Sequence, residues 1–241
     1  EGRSWPDGRL SLTQFALNAE AMELNGQLEL TAERWPERFR LSGQIGRGDG
    51  ITRLPFGGRG ARLNIAQLSA TYDAAAGDSW QAKLDIDGFE NAQLRSDDLR
   101  LAATGRLARG QAEAVTANIA FETTGLRHAD PALSQAIGPA PNGTLRLSWR
   151  PGAPLDIAFL SLKSGDLSLT ASGQIDELAT GLPITGQATL NAGDLTRFAA
   201  LIGRPLAGVA RASLRGDGAL LGGRFDIELE AATEALEVGI A

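Results

Sequence analysis

Apolar and polar residues alternate with a period of two along much of this chain. In residues 166–175, Leu167, Leu169, Ala171, Gly173 and Ile175 share one parity, and Asp166, Ser168, Thr170, Ser172 and Gln174 share the other. Leu99, Leu101, Ala103, Gly105 and Leu107 alternate in the same way with Asp98, Arg100, Thr104 and Arg106. Phe225, Ile227 and Leu229 interleave with Arg224, Asp226, Glu228 and Glu230. The pattern returns at Phe39, Leu41, Gly43 and Ile45, and at Leu145, Leu147 and Trp149. Successive side chains of a strand point to opposite faces, so each segment predicts a strand with one aliphatic and one hydrated side.

Turn formers separate these segments: Pro6-Asp7-Gly8, residues 46–50 and 57–60, Gly77-Asp78, Asp87-Gly88, residues 151–154, and Gly216-Asp217-Gly218. Such clusters supply the positive φ that hairpins require. Strands recurring at roughly 10–18 residues favour antiparallel meanders, and crossovers long enough for a parallel sheet are missing. The expected class is all-β. Two short helices interrupt it. Residues 130–138 open on Asp130 as N-cap with Pro131 behind it and close on Gly138; residues 194–203 follow the same logic, with Leu195, Phe198, Leu201 and Ile202 as an apolar stripe. Ile137-Gly138 and Ile202-Gly203 lie 65 residues apart, as do Gly143 and Gly208. This spacing suggests a degenerate repeat within one continuous segment 1–241, with sub-repeats 1–128 and 129–241.

An aliphatic sheet face needs a cover. Each large apolar side chain left wet forfeits on the order of 1.5–3 kcal/mol, against a total domain stability of about 5–15 kcal/mol. A second sheet, closure into a barrel, or an apolar ligand would serve. A membrane barrel calls for aromatic girdles, and the chain has one Tyr and four Trp. Val occurs only at positions 115, 209 and 238 while Leu is abundant, and aromatics are 5%, sparse for two sheets packed face to face. A wall of Leu, Ile and Ala suits acyl chains; an ordinary sandwich core remains the other reading.

Composition narrows the chemistry. The formal net charge is −6 with no basic block, which argues against a nucleic-acid surface. Cysteine is absent, so no disulfide or thiolate site forms, and the apolar runs fall far short of the roughly 20 residues of a membrane-spanning helix. With no initiator Met or signal-peptide pattern, the chain reads as a piece of a longer protein whose anchor lies elsewhere. The lone His128 reads as a loop residue before a helix, and no Gly-x-Ser-x-Gly elbow accompanies it. Asp85 with Asp87, and Asp97-Asp98, read as hydrated surface; Arg47-Gly48-Asp49 is a Gly-rich turn. No catalytic residues, metal ligands or cofactor are expected, and the chain is not expected to be an enzyme.

The stretch from Gly193-Asp194-Leu195-Thr196-Arg197-Phe198 through Gly203-Arg204-Pro205-Leu206-Ala207-Gly208, followed by alternating strands at 209–214 and 223–229, resembles the TamB family, relatives of the AsmA-like proteins. Residues 130–147 form a weaker copy. The close likeness covers about 35 residues. It implies an elongated, curved antiparallel sheet folded into a U-shaped groove, a β-taco, with a hydrophobic interior. It further implies a periplasmic segment anchored to the inner membrane by a region outside this chain, passing phospholipid between the membranes and supporting outer-membrane biogenesis. A TamA-like barrel would be met through regions outside the chain. On this reading Leu99, Leu101, Leu107, Leu167, Leu169, Ile175, Phe225, Ile227 and Leu229 touch acyl chains. Two alternatives stand beside it: a chaperone-like scaffold for outer-membrane proteins acting by β-augmentation, and a closed β-sandwich module of a surface or adhesion protein.

Overall fold

Two-residue periodicity becomes strand almost wherever it occurs. The computed structural model describes residues 2–19, 21–48, 50–54, 60–108, 114–176, 183–219 and 224–238, with backbone alone at 219, 224, 225, 227, 229–231 and 234–238. The protein is nearly all antiparallel β with two short helical segments, as the pattern predicts. Its contacts divide it into two units, residues 1–119 and 120–241.

The first unit carries β1 (Gly2–Ser4), β2 (Leu10–Ala19), β3 (Met22–Leu30), β4 (Pro36–Ile45), β5 (Thr52–Arg53), β6 (Arg62–Leu63), β7 (Ile65–Asp73), β8 (Ser79–Glu90) and β9 (Leu94–Ala108). Strands β2, β3, β4, β7, β8 and β9 pair in that order, each antiparallel to the next. Strand β10 (Ala114–Thr124) crosses the boundary. The second unit adds β11 (Arg127–His128), α1 (Pro131–Ile137), β12 (Asn142–Trp149), β13 (Leu155–Ser164), β14 (Leu167–Ile175) and β15 (Pro183–Ala192). A 3-10 turn, Leu195–Phe198, then runs into α2 (Ala199–Ile202), followed by β16 (Leu206–Ala219) and β17 (Arg224–Val238). Strands β12 to β17 form a meander in chain order.

Both helical segments begin and end where their caps dictate. Asp130 accepts from the Ala132 N–H at 2.8 Å, and Gly138 closes α1 by donating to the Ser134 carbonyl at 2.9 Å. Asp194 accepts from the Thr196 N–H at 2.8 Å, and Gly203 ends α2 in the left-handed region at φ 70°.

Two expected turns are instead strand. Asp87-Gly88 lies inside β8, with Gly88 at φ +70°, and Gly216-Asp217-Gly218 lies inside β16, paired with Gly186, Thr185 and Ile184. Gly88 supplies positive φ within its strand, and Gly216 stands opposite another glycine, Gly186. Gly173, Gly186 and Gly216 stand side by side across β14, β15 and β16. A Cβ on Gly186 would sit 2.6 Å from the Ser172 carbonyl oxygen and 3.2 Å from the Gly173 Cα, so no side chain fits. Asp49 of the Arg-Gly-Asp triplet and residues 57–59 of an expected turn lie outside the described residues.

Candidate functional site

Register converts the alternation along each strand into rows across each sheet, because paired residues of antiparallel strands share a face. In the first unit one row reads Leu17, Leu24, Gly43, Leu68, Leu84, Leu101 from β2 to β9. The neighbouring rows read Ala19, Met22, Ile45, Ala66, Ile86, Leu99, and Phe15, Gly26, Leu41, Ala70, Ala82, Ala103. Every position is apolar or glycine. The second unit repeats the device: Gly143, Leu162, Leu169, Leu190, Ala212 and Ala231 form one row, and Leu145, Leu160, Ala171, Ala188, Leu214 and Leu229 the next.

The main contacts within either unit run between hydrogen-bonded neighbouring strands and around the helical segments. Among the described residues no large side chain is fully buried, and Leu68, Leu84, Leu101, Leu162, Leu169 and Leu214 are only half-buried. Burial is concentrated at the ends. Ala61, Leu63 and Ala66 are at most 2% exposed in the first unit. In the second, Leu195 and Phe198 pack with Leu167, Leu190, Ala192 and Ala210.

The expected contact residues therefore divide. Leu99, Leu101 and Leu169 lie in open rows, half-buried. Leu107 and Ile175 share the parity of those rows but are buried, at 7% and 8% exposure. Leu167 is buried in the cluster with Leu195, under the chain's own helical segment. The backbones of Phe225, Ile227 and Leu229 pair with Gly218, Gly216 and Leu214, while their side chains lie outside the described residues.

Two features went unread in the sequence. Arg197, its side chain 12% exposed, donates to the Ser164 carbonyl at 3.0 Å, the Asp166 carboxylate at 2.7 Å and the Ile137 carbonyl at 3.1 Å. It thereby ties the 3-10 turn to the β13–β14 hairpin and to the C-terminal end of α1, where a cation suits the helix dipole. The spacing of Arg197 to its partners, 31 to 60 residues, left no local signal. The second feature is where the concavities lie. A small apolar notch of about 230 Å³ sits over the glycine row, lined by Ile184, Gly186, Ala188, Leu214 and Gly216. The larger ones open among hydrated side chains: about 800 Å³ beside Gln27, Arg40, Thr71, Gln81 and Thr104, and about 600 Å³ beside Thr170, Ser172, Gln187 and Arg215.

Electrostatics here is that of a hydrated surface. Arg38 Nε donates to Asp73 at 3.1 Å; the Asp73 carboxyl is held below its usual range first by the Ala75 N–H and then by this guanidinium. His128 Nδ1 accepts from the Asp130 N–H at 2.9 Å, a local bond at the entrance to α1. Among the described residues no group of three or more His, Cys, Asp or Glu could hold a metal ion, and no helix is long and apolar enough to cross a membrane. No protein-family model, curated protein or solved structure matches this chain.

Proposed function

We propose that this chain is a periplasmic segment of a TamB-like protein, anchored to the inner membrane by a region outside it. Its aliphatic sheet faces line a U-shaped groove that conducts phospholipid between the inner and outer membranes and so supports outer-membrane biogenesis. The observation that carries the reading is the pair of row-ordered aliphatic faces, whose central leucines stay only half-buried among the described residues. Leaving such faces wet costs on the order of 1.5–3 kcal/mol per large side chain fully exposed, so an apolar occupant is energetically favoured. Acyl chains fit because they are flexible and need no polar partner from the wall, and the rows offer none. The capped helix at 194–203 and the Gly-Arg-Pro-Leu-x-Gly turn after it support the family likeness.

The mechanism is passive. Tails slide along the leucine rows while headgroups stay in water at the open seam; no catalytic group or cofactor takes part. A TamA-like barrel would be engaged through other regions of the full protein.

Native mass spectrometry with lipid extraction, on the chain purified from a bacterial envelope, tests the proposal. Near-stoichiometric phospholipid is expected, and Leu169→Glu, at the centre of its row, should remove it while strand content by circular dichroism is retained. A folded, monodisperse, lipid-free wild type would overturn the reading and favour a protein-binding scaffold.

A further inference from the structure

The alternation in β13 contains a slip. Leu155 and Ile157 share one parity with Phe159, whereas Leu160 and Leu162 take the other. Strand β13 resolves the conflict with a β-bulge: Ile157 pairs with Gly173 and Leu160 with Ala171, so Ala158 and Phe159 together oppose Ser172. Both aliphatic sets stay on the apolar face, and Phe159 is turned to the hydrated one, opposite Arg146. Phe159 is 38% exposed there.

Beside this ring lies the concavity of about 600 Å³. Its floor holds Thr170, Ser172, Gln187 and Thr189, with Arg215 and Glu228 giving one charge of each sign. The bonds among these groups are long: Gln187 Nε2 to Ser172 Oγ at 3.4 Å, and Arg215 Nη2 to Gln187 Oε1 at 3.4 Å. Such bonds are weak and readily exchanged for better-placed partners. Hydroxyl and amide groups both donate and accept, as sugar hydroxyls do. An exposed aromatic face complements the C–H face of a pyranose, and the balanced charge favours a ligand without net charge.

We propose that this hydrated face of the second unit is a binding site for a neutral oligosaccharide. Phe159 is the stacking platform, and Ser172, Gln187 and Arg215 bond the sugar edge. The site lies on the face opposite the leucine rows and does not depend on the lipid reading.

Saturation-transfer difference NMR with cellotetraose, maltotetraose and chitotetraose as probes, on the whole chain, decides the matter. Transfer to ring C–H protons of at least one probe is expected. Phe159→Ala should weaken that probe's binding at least five-fold, Phe159→Tyr should restore it, and Gln187→Ala should weaken it about three-fold. Leu169→Glu, on the other face, should leave it unchanged, which separates this site from lipid binding. Absence of transfer from all three probes, or binding unaltered by Phe159→Ala in a folded protein, overturns the proposal.

Discussion

Strand β2 of the first unit and β13 of the second contain the same irregularity and spend it differently. In β2 the register shifts between Leu12 and Phe15, so Thr13 and Gln14 are the extra pair opposite Gln27, and Phe15 stays on the apolar face with its ring over Gly26. In β13 the extra pair is Ala158 and Phe159, and the aromatic goes to the water side. The bulge is a neutral device for preserving parity on either side of it. The residues placed in it decide whether it merely repairs the apolar row or equips the other face with a new group.

The units also differ in where burial is most complete. In the first it is at Ala61, Leu63 and Ala66, small or compact side chains that reach near-complete burial. The second uses Leu195 and Phe198 on a one-turn element too short to be stable alone, and secures it with Arg197 and the Asp194 cap. A polar latch is sensitive to substitution in a way that an alanine is not.

The largest effect is expected at the glycine row that distinguishes the second unit. Gly186→Val drives a branched side chain into the Ser172 carbonyl and should cost about 3–5 kcal/mol, read as a lower urea midpoint and lost amide protection in β14 to β16. A cost below about 1 kcal/mol would show that the backbones separate easily and that the glycine approach is incidental.

Arg197→Met comes next. Methionine keeps the stem but removes the charge-assisted bonds to the Asp166 carboxylate and the Ser164 and Ile137 carbonyls, at about 2–4 kcal/mol. Hydrogen exchange should accelerate in 131–137 and 195–202 before it does in the first unit. Uniform acceleration through both units would break the contrast drawn between their two ways of completing burial.

The smallest effect is at the cap. The Thr196 hydroxyl and then its N–H hold the Asp194 carboxyl below the usual value of 3.8. A depressed carboxylate contributes stability above that value, and the contribution is lost as pH falls below it through the folded-state value. Amide exchange at Thr196, taken relative to the unprotected rate at each pH, should therefore rise on acidification below 3.8. In an Asp194→Asn variant the amide oxygen still accepts, so this acid-induced rise should be absent.

Much of the architecture was legible because its signals are local. Alternation at 98–107 and 166–175 specified β9 and β14 and the sides their leucines would take, and Asp-Pro or Asp-Leu followed by a terminal Gly located both helical segments. Glycine was read less well. Gly88 and Gly216 carry the same turn signal as Gly8, yet both stand within strands, Gly88 at positive φ inside β8 and Gly216 paired with Gly186 across β15 and β16. For the candidate site, parity correctly put Leu99, Leu101 and Leu169 on the aliphatic side. Nothing local revealed that Leu167 would be roofed by Leu195 or that Arg197 would reach Ile137, since those contacts span 28 and 60 residues.

By itself, then, the order of residues determined strand, face and helix cap, properties set by nearest neighbours through the pleat and through side-chain bonds to adjacent backbone. Register was decided only in three dimensions. It aligned separate leucines into rows, set three glycines from different strands side by side, brought Arg197 to its distant carbonyls and turned Phe159 to water. Each of these depends on which strand lies beside which and at what offset, and that is settled by the packing of the sheet as a whole.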